Sequence, residues 1–332
     1  MKESQILVTG GGGFLGGAIV RQLRAQNAQV RSLSRQHYPE LAQIGVEQFQ
    51  GSLSDPEVVG KAVRGCDLVI HVAAKAGIWG PYHDYYQTNV VGTENILNAC
   101  RQHGVPRLVY TSSPSVVFNG KDMEGVDESV PYPDHFEAHY PKTKAIAEQK
   151  VIAANDDSLA TVSLRPHLIW GPGDNHLVPR IIAKGKAGQL RKIGQRDNLV
   201  DSIYIDNAAD AHLQVAEELH PGSRVAGKVY FISQDEPISI WELINRILAC
   251  GNAPPVRKSI PTGLACFLGT LCERIYGLLR LKSEPRMTRF LARELSTAHW
   301  FDISAAKRDF GFHPKVSITE GLNRLADHLN DR

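Results

Sequence analysis

Ile6-Leu7-Val8-Thr9-Gly10-Gly11-Gly12-Gly13-Phe14-Leu15-Gly16 is the stretch whose reading decides the fold. A short apolar run of this length reads as a strand, and the pattern from Phe14 onward has helical period. Between them the glycines allow two frames. Gly11, Gly13 and Gly16 fit G-x-G-x-x-G, and Gly10, Gly13 and Gly16 fit G-x-x-G-x-x-G. In both, glycine permits a tight turn and lets backbone approach a pyrophosphate that rests on the helix N-terminus. A plain Gly-rich turn is the bland reading. The strand before and the helix after supply the context that favours a dinucleotide. Thr9, Gly10, Gly13, Phe14, Leu15 and Gly16 are therefore the first cofactor candidates.

Outward from that turn, β-branched runs alternate with longer helical patterns. The spacing predicts strands over 5–9, 29–33, 46–50, 67–72, 107–111 and 159–165. It predicts helices over 14–26, 55–63, 85–103 and 140–154. Such alternation implies an α/β fold, a Rossmann-type doubly wound parallel sheet covered by helices on both faces. Ligands bind such sheets at the carboxyl ends of the strands, where Thr9, Ser34, Ala73 and Ser113 lie. After Arg165 the pattern loosens. A dinucleotide-binding domain is expected over 1–170, with 204–232 rejoining it. A smaller interleaved substrate lobe is expected over 171–203 and 233–332.

The 332 residues carry 42% hydrophobic and 22% charged side chains and a net charge of +2, an ordinary globular balance. No basic run suggests nucleic acid. Five cysteines without a CxxC pair fit free thiols in a reducing compartment, so a cytoplasmic location is expected. The opening MKESQILVTG has no signal-peptide pattern. No apolar stretch is long enough to span a bilayer. Residues 262–281 (TGLACFLGTLCERIYGLLRL) come closest, interrupted by Glu273 and Arg274. They predict a helix covering the substrate cavity that touches lipid or a hydrophobic partner, or else packs inside the small lobe. The sequence also admits a homodimer.

The acid that ends the second strand in many such folds, and binds the ribose 2′-hydroxyl, is here Ser34, followed by Arg35. A hydroxyl and a guanidinium suit a 2′-phosphate that a carboxylate would repel. NADP(H) is thus the expected cofactor, with NAD(H) second.

Tyr140-Pro141-Lys142-Thr143-Lys144 puts Tyr140 and Lys144 four apart on one helix face. A phenol of pKa ~10 is a poor acid–base group at neutral pH until an ammonium stabilises its anion. With ten tyrosines, about half such a match arises by chance, so position must strengthen it. Tyr110-Thr111-Ser112-Ser113 ends at the sheet's carboxyl edge, which would set Ser113 beside the substrate oxygen. A turn cap is the bland role for Ser113. His135 and His139 have i,i+4 spacing without HExxH or a third ligand, so no metal is expected there. Asp127 and Glu128 read as solvated acids.

Together these residues resemble the extended short-chain dehydrogenase/reductase superfamily over nearly the whole length. The likeness runs through TGGGGFLG, HVAA, TNVVGTENIL, YTSSPSVVF, YPKTK, LRPHLIWGPGD, NLVDSIYIDNAADAH and FDISAAKRDFGFHPKVSITEGL. SSPSVVF, the LVPR after GPGD, and NLVDSIYIDNAADAH look most like the 3β-hydroxysteroid dehydrogenase group. That group includes sterol-4-carboxylate 3-dehydrogenases and bacterial 2-alkyl-3-oxoalkanoate reductases. The resemblance implies an NAD(P)-dependent oxidoreductase. Ser113 would polarise the substrate oxygen, Tyr140 would be the acid or base, and Lys144 would hold the ribose and tune Tyr140. Asn89 would stand on the helix beside the active site. Ala73 and Ala74 would line the dinucleotide, and backbone near Pro166 and Leu168 would meet the carboxamide. Ser52, with Leu53 beside it, stands where the family has the Asp that reads the adenine amine. With Ser34, it points away from plain NAD use.

Two other functions compete. A nucleotide-sugar epimerase or dehydratase needs cationic groups for a diphosphate. The chain instead offers Ile78, Trp79, Tyr82, Tyr85 and Tyr86, with Trp241, Phe267 and Tyr276 from the far lobe, which suits a bulky hydrophobic ketone such as a β-keto acid or a 3-oxosteroid. A non-catalytic cofactor sensor is opposed by the presence of Ser113, Tyr140 and Lys144. NADPH-driven reduction is the expected direction.

Overall fold

The structure, a computed structural model, describes residues 4–279, 281 and 283–331. Seven parallel strands form the main sheet: β1 Gln5–Thr9, β2 Gln29–Ser34, β3 Glu47–Gln50, β4 Leu68–His71, β5 Arg107–Thr111, β6 Ala160–Pro166 and β7 Val229–Ile232. Their spatial order is β7-β6-β5-β4-β1-β2-β3. The order reverses between β1 and β4, which opens a crevice at their carboxyl ends. This is the Rossmann-type sheet that the alternating pattern predicts. Helices cover both faces, so the central strands are apolar throughout rather than alternating. Ile6, Leu7 and Val8 are all completely buried, as are Leu68, Val69 and Ile70. Helices Phe14–Ala25 and Ile205–Glu218 pack together on one face. Pro56–Val63, Gly92–His103 and His139–Ala153 cover the other.

The region predicted as one helix over 85–103 has three parts: a single turn Tyr82–Tyr85, a π-helical turn Tyr86–Val91 and the helix Gly92–His103. The break falls where Gly92 meets Leu53 so closely that a Cβ would lie 2.7 Å from the leucine side chain. Wider π turns of this kind recur at functional sites, and this one carries Asn89.

A second sheet of four strands is stitched from distant segments, in the order Ile238–Ser239, Leu199–Val200, His299–Phe301, Met123–Val126. Met123–Val126, which the sequence reading left in the first domain, thus belongs with strands of the far lobe. Ile203–Tyr204 also differs from expectation. It pairs with Ile169–Trp170 in a two-stranded ribbon and does not rejoin the main sheet, because the chain turns into a helix at Ile205. Only Val229–Ile232 returns, against β6. Glu128 is not a solvated acid. Half-buried, it accepts the Phe231 amide of β7 at 2.8 Å, and burial raises its pKa.

His212, fully buried, ties helix Ile205–Glu218 to the end of β5. Its Nδ1 donates to the Ala208 carbonyl at 2.7 Å and its Nε2 accepts from Thr111 Oγ1 at 2.8 Å. Burial pushes its pKa down to about 4. A folded pKa below the unfolded value means that the neutral ring stabilises the fold above pH ~6.5, and that this is lost as pH falls toward 4. At pH 5 the unfolded chain's proton uptake costs the fold about 2 kcal/mol. His212→Gln is expected to shrink the stability difference between pH 7 and pH 5 by about that much in urea titrations. An unchanged difference would show that His212 is not held neutral.

Candidate active site

The glycine turn closes the carboxyl end of β1. Gly10 has φ +72°, and a Cβ on Gly16 would sit 2.2 Å from the Gly10 carbonyl oxygen, so neither position accepts a side chain. Gly13 caps helix Phe14–Ala25 without any side-chain acceptor, and the first turn holds no acid. The first-turn amides around Phe14 and Leu15 are thus left for an anion. Gly10 packs against Ala73, whose Cβ would be 3.1 Å from a Cβ at Gly10, so β1 and β4 converge where the dinucleotide is expected. These residues fit the phosphate-bearing middle of such a cofactor. Ala74 follows Ala73 on the same loop. Thr9 contributes differently from expectation. It is completely buried, and its Oγ1 accepts the Val72 and Ala73 amides at 3.1 and 3.0 Å, so its side chain binds the two strand ends together.

At the adenosine end, Arg35 is exposed, and among the described residues its guanidinium makes no ion pair. Its carbonyl is held by Gln50 at 3.3 Å. Ser34 Oγ lies 3.4 Å from Ser32 Oγ. Ser52 turns its hydroxyl onto Ser54 at 2.7 Å, and Leu53 is buried against Gly92. At the nicotinamide end, β6 finishes at Pro166, and Leu168 takes a left-handed conformation, φ +42°, that strains a branched side chain.

Helix His139–Ala153 places Tyr140, Lys144 and Glu148 in one line, at i, i+4 and i+8. The Lys144 ammonium is buried. It donates to the Thr111 carbonyl at 2.6 Å and lies 4.1 Å from the Tyr110 ring centroid. Burial pushes its pKa down to about 7, against the opposing pull of Glu148. Burial pushes the Tyr140 phenol up to about 12, while a hydrogen bond with Ser113 works the other way. Ser113 also fills the bland role foreseen for it, since its Oγ accepts the Ser115 amide at 3.3 Å and caps the turn Pro114–Val117. Ser113 and Tyr140 thus stand together near the carboxyl edge of β5, with Lys144 one helical turn on and its ammonium held on the Thr111 carbonyl. A half-buried neutral phenol beside a hydroxyl can hand a proton to a carbonyl oxygen.

Asn89 is 2% exposed and fully engaged. Its Oδ1 accepts the Lys75 amide at 2.7 Å, and its Nδ2 donates to the Lys75 carbonyl and to Thr143 Oγ1 at 3.1 and 3.0 Å. It therefore anchors the loop after β4 to the tyrosine helix. Three residues escaped the sequence reading. Glu148 is wholly buried and forks with Arg165 of β6 at 3.0 and 2.6 Å, while the Tyr132 hydroxyl donates to it at 2.7 Å. Its i+4 spacing from Lys144 was the available signal. Glu294 ends helix Arg289–Glu294. Burial pushes its carboxyl up to about 7, and its charge opposes ionisation of Tyr140. His299 Nε2 donates to the Glu294 carbonyl at 2.8 Å, and its Nδ1 stands 2.9 Å from His167 Nε2, so two neutral imidazoles join the 166–168 segment to Glu294.

The aromatic set divides. Tyr85 and Trp241 are core residues, 1% and 5% exposed, and Phe267 faces outward at 64%, so these three do not offer free faces to a substrate. Tyr82 and Tyr85 stand against the His139 ring at 5.4 and 6.2 Å, next to Tyr140. That contact places His139 in an aromatic cluster. Trp79 meets Tyr276 edge to face at 6.0 Å and donates to the Leu281 carbonyl, so 75–86 and 262–281 close over one another. Ile78 on that loop and Tyr86 at the start of the π-helical turn are half-buried.

A doubly wound sheet with this turn and a Tyr-x-x-x-Lys helix defines the extended short-chain dehydrogenase/reductase class. Within that class the chain belongs to the 3-beta hydroxysteroid dehydrogenase/isomerase family, whose sequence pattern matches residues 7–258, and it is an NAD(P)-dependent oxidoreductase. It is 54% identical to a 2-alkyl-3-oxoalkanoate reductase of Stenotrophomonas maltophilia, covering 97% of this chain and 98% of that one. It is 31% identical to the decarboxylating sterol-4-alpha-carboxylate 3-dehydrogenase of Mus musculus, over 99% and 92% of the two chains. The solved UDP-glucose 4-epimerase of Thermotoga maritima shares the fold, with a TM-score of 0.77 at 19% identity over 98% and 99% of the chains.

Proposed function

We propose that the chain is an NADPH-preferring reductase of bulky, hydrophobic 3-oxo acids, with Tyr140 as proton donor. The observation that carries the reading is the half-buried Tyr140 phenol, proton-bearing at neutral pH and hydrogen-bonded with Ser113, on the helix that carries Lys144 one turn on. A bound nicotinamide dinucleotide supplies the hydride to the carbonyl carbon. As the carbonyl π pair becomes an alkoxide, Ser113 donates a hydrogen bond to the oxygen and Tyr140 gives it the phenolic proton. The Lys144 ammonium offsets the phenolate, which regains its proton from solvent. Ketone, reduced cofactor and one proton become alcohol and oxidised cofactor. The glycine turn with Phe14, Leu15, Ala73 and Ala74 holds the pyrophosphate side, and backbone at Pro166 and Leu168 orients the carboxamide. Ser34 and Arg35, which makes no ion pair among the described residues, would take the 2′-phosphate, and Ser52 and Leu53 would serve the adenine. The identity to the Stenotrophomonas reductase supports 3-oxo acids over nucleotide sugars, since likeness to the epimerase concerns fold alone.

One assay series tests cofactor and substrate together. NADPH should outperform NADH, and Arg35→Ala should cost NADPH about ten- to a hundred-fold in kcat/KM while sparing NADH, the worth of one charge-assisted contact. Across 2-alkyl-3-oxo acids, kcat/KM should rise about fourfold per buried methylene until the cavity is filled. Equal use of the two cofactors overturns the Arg35 assignment. A flat chain-length profile, or a preference for nucleotide sugars, overturns the substrate.

A further inference from the structure

Helix Thr262–Leu278 is built inside out. Its inward face is small: Ala265 and Gly269 are buried, and Gly269 lies so close to the next segment that a Cβ would stand 2.6 Å from the Thr288 carbonyl carbon. The Glu273 carboxylate accepts the Arg289 amide at 2.8 Å and fixes the helix to Arg289–Glu294. The large side chains point the other way. Leu264, Phe267, Leu268, Leu271, Ile275 and Leu278 are 40–85% exposed. At helical spacing they form one stripe about a third of the circumference wide. Of the eleven large apolar side chains most exposed among the described residues, eight belong to 264–281. Exposure this concentrated marks an interaction surface and not the scatter of a normal exterior.

We propose that this face docks in the plane of an anionic lipid surface. Charge selects the occupant. Residues 254–290 carry seven bases against two acids in a chain whose net charge is only +2. Both acids are already engaged, Glu273 on the Arg289 amide and Glu284 with Arg180 at 2.6 Å. Exposed Arg257 and Lys258 precede the helix, and exposed Arg274 borders the stripe. An apolar face with cationic edges matches a headgroup layer of negative charge. A second copy of the same face would bring like charges together. The helix is 17 residues long, and no described helix is long and apolar enough to cross a membrane, so it lies along the surface. Its flank holds Trp79 through Tyr276, and the loop of Trp79 leads to the tyrosine helix. Docking therefore turns the mouth of the site toward the bilayer, where a long-chain 3-oxo acid resides. This last consequence rests on the proposed substrate, whereas the docking itself does not.

Flotation of the full chain with vesicles tests it. The chain should float with phosphatidylcholine vesicles containing about one-third phosphatidylglycerol and far less with phosphatidylcholine alone, and high salt should release it. Phe267→Ser/Leu271→Ser/Leu278→Ser should abolish flotation while dinucleotide binding, followed by fluorescence, is retained. Arg257→Gln/Lys258→Gln/Arg274→Gln leaves the apolar stripe intact and should lower the bound fraction at least tenfold. No flotation of the wild type, or equal flotation on uncharged vesicles, overturns the proposal. So does self-association that the triple serine variant abolishes while no vesicle binds. A chain that reduces 3-oxo acids in solution yet never floats overturns only the docking. One that floats yet reduces no ketone overturns only the reading of the site.

Discussion

Tyr140→Phe is expected to lower turnover by roughly a hundred- to ten-thousand-fold, the usual worth of a positioned general acid. Dinucleotide affinity and resistance to urea should stay close to wild type, because a ring of the same shape remains in the same packing. The prediction is sharp because Tyr140 has no obvious substitute. Ser113 holds an ordinary hydroxyl, already accepting the Ser115 amide. The Lys144 ammonium faces the Thr111 carbonyl. Glu294 is the one other protonated group near neutrality whose charge reaches the phenol. If Tyr140→Phe kept more than a tenth of wild-type kcat/KM, the proton would have to come from Glu294, and the double variant with Glu294→Gln would then fall to background. A loss confined to KM would instead make Tyr140 a binding group.

Glu148→Ala carries the largest expected effect on stability, a loss of about 3–5 kcal/mol. The carboxylate is wholly enclosed and receives both arms of Arg165 and the Tyr132 hydroxyl. Removing it leaves a guanidinium 2% exposed, near the Tyr132 and Phe231 rings, with the half-buried Glu128 as its more distant counter-charge. Glu148→Gln keeps the shape and some hydrogen bonds and should cost less. The double change Glu148→Met/Arg165→Met should recover much of the loss, since no buried charge is then stranded. Equilibrium urea unfolding measures all three. A loss under 1 kcal/mol for Glu148→Ala would mean that Arg165 escapes to solvent. The same carboxylate also favours the charged form of Lys144, so Glu148→Gln should lower the lysine's pKa further.

Much of this is legible in the amino-acid sequence. Residues 5–9 and 107–111 were bounded correctly, because a buried parallel strand is a short apolar run with turn residues at both ends. Tyr140, Lys144 and Ser113 are singled out by spacing and by their place after the fifth strand; Tyr140 stands by Ser113, while the Lys144 ammonium turns onto the Thr111 carbonyl. What failed to show were interactions whose partners lie far along the chain. Glu148 looks like any helix-surface acid until β6 brings Arg165 beneath it, seventeen positions on. Glu128 looks solvated until β7 supplies the Phe231 amide. Asn89 was placed beside the site by likeness, but its three hydrogen bonds to Lys75 and Thr143 depend on a π turn that no local propensity announces. The apolar wealth of 262–281 was plain, yet which side of that helix faces out follows from Gly269 meeting Thr288.

The stitched second sheet also constrains how the chain is made. Every strand of the main sheet has been synthesised once residue 232 is added. Met123–Val126 must wait much longer, because it is an edge strand whose sole neighbour is His299–Phe301. During that interval its amides and carbonyls are open to any other extended segment, which is the circumstance in which nascent chains aggregate. Nonsense mutations between residues 233 and 298 would therefore yield products with a finished nucleotide-binding sheet and a bare strand, fit for capture by chaperones and not for release.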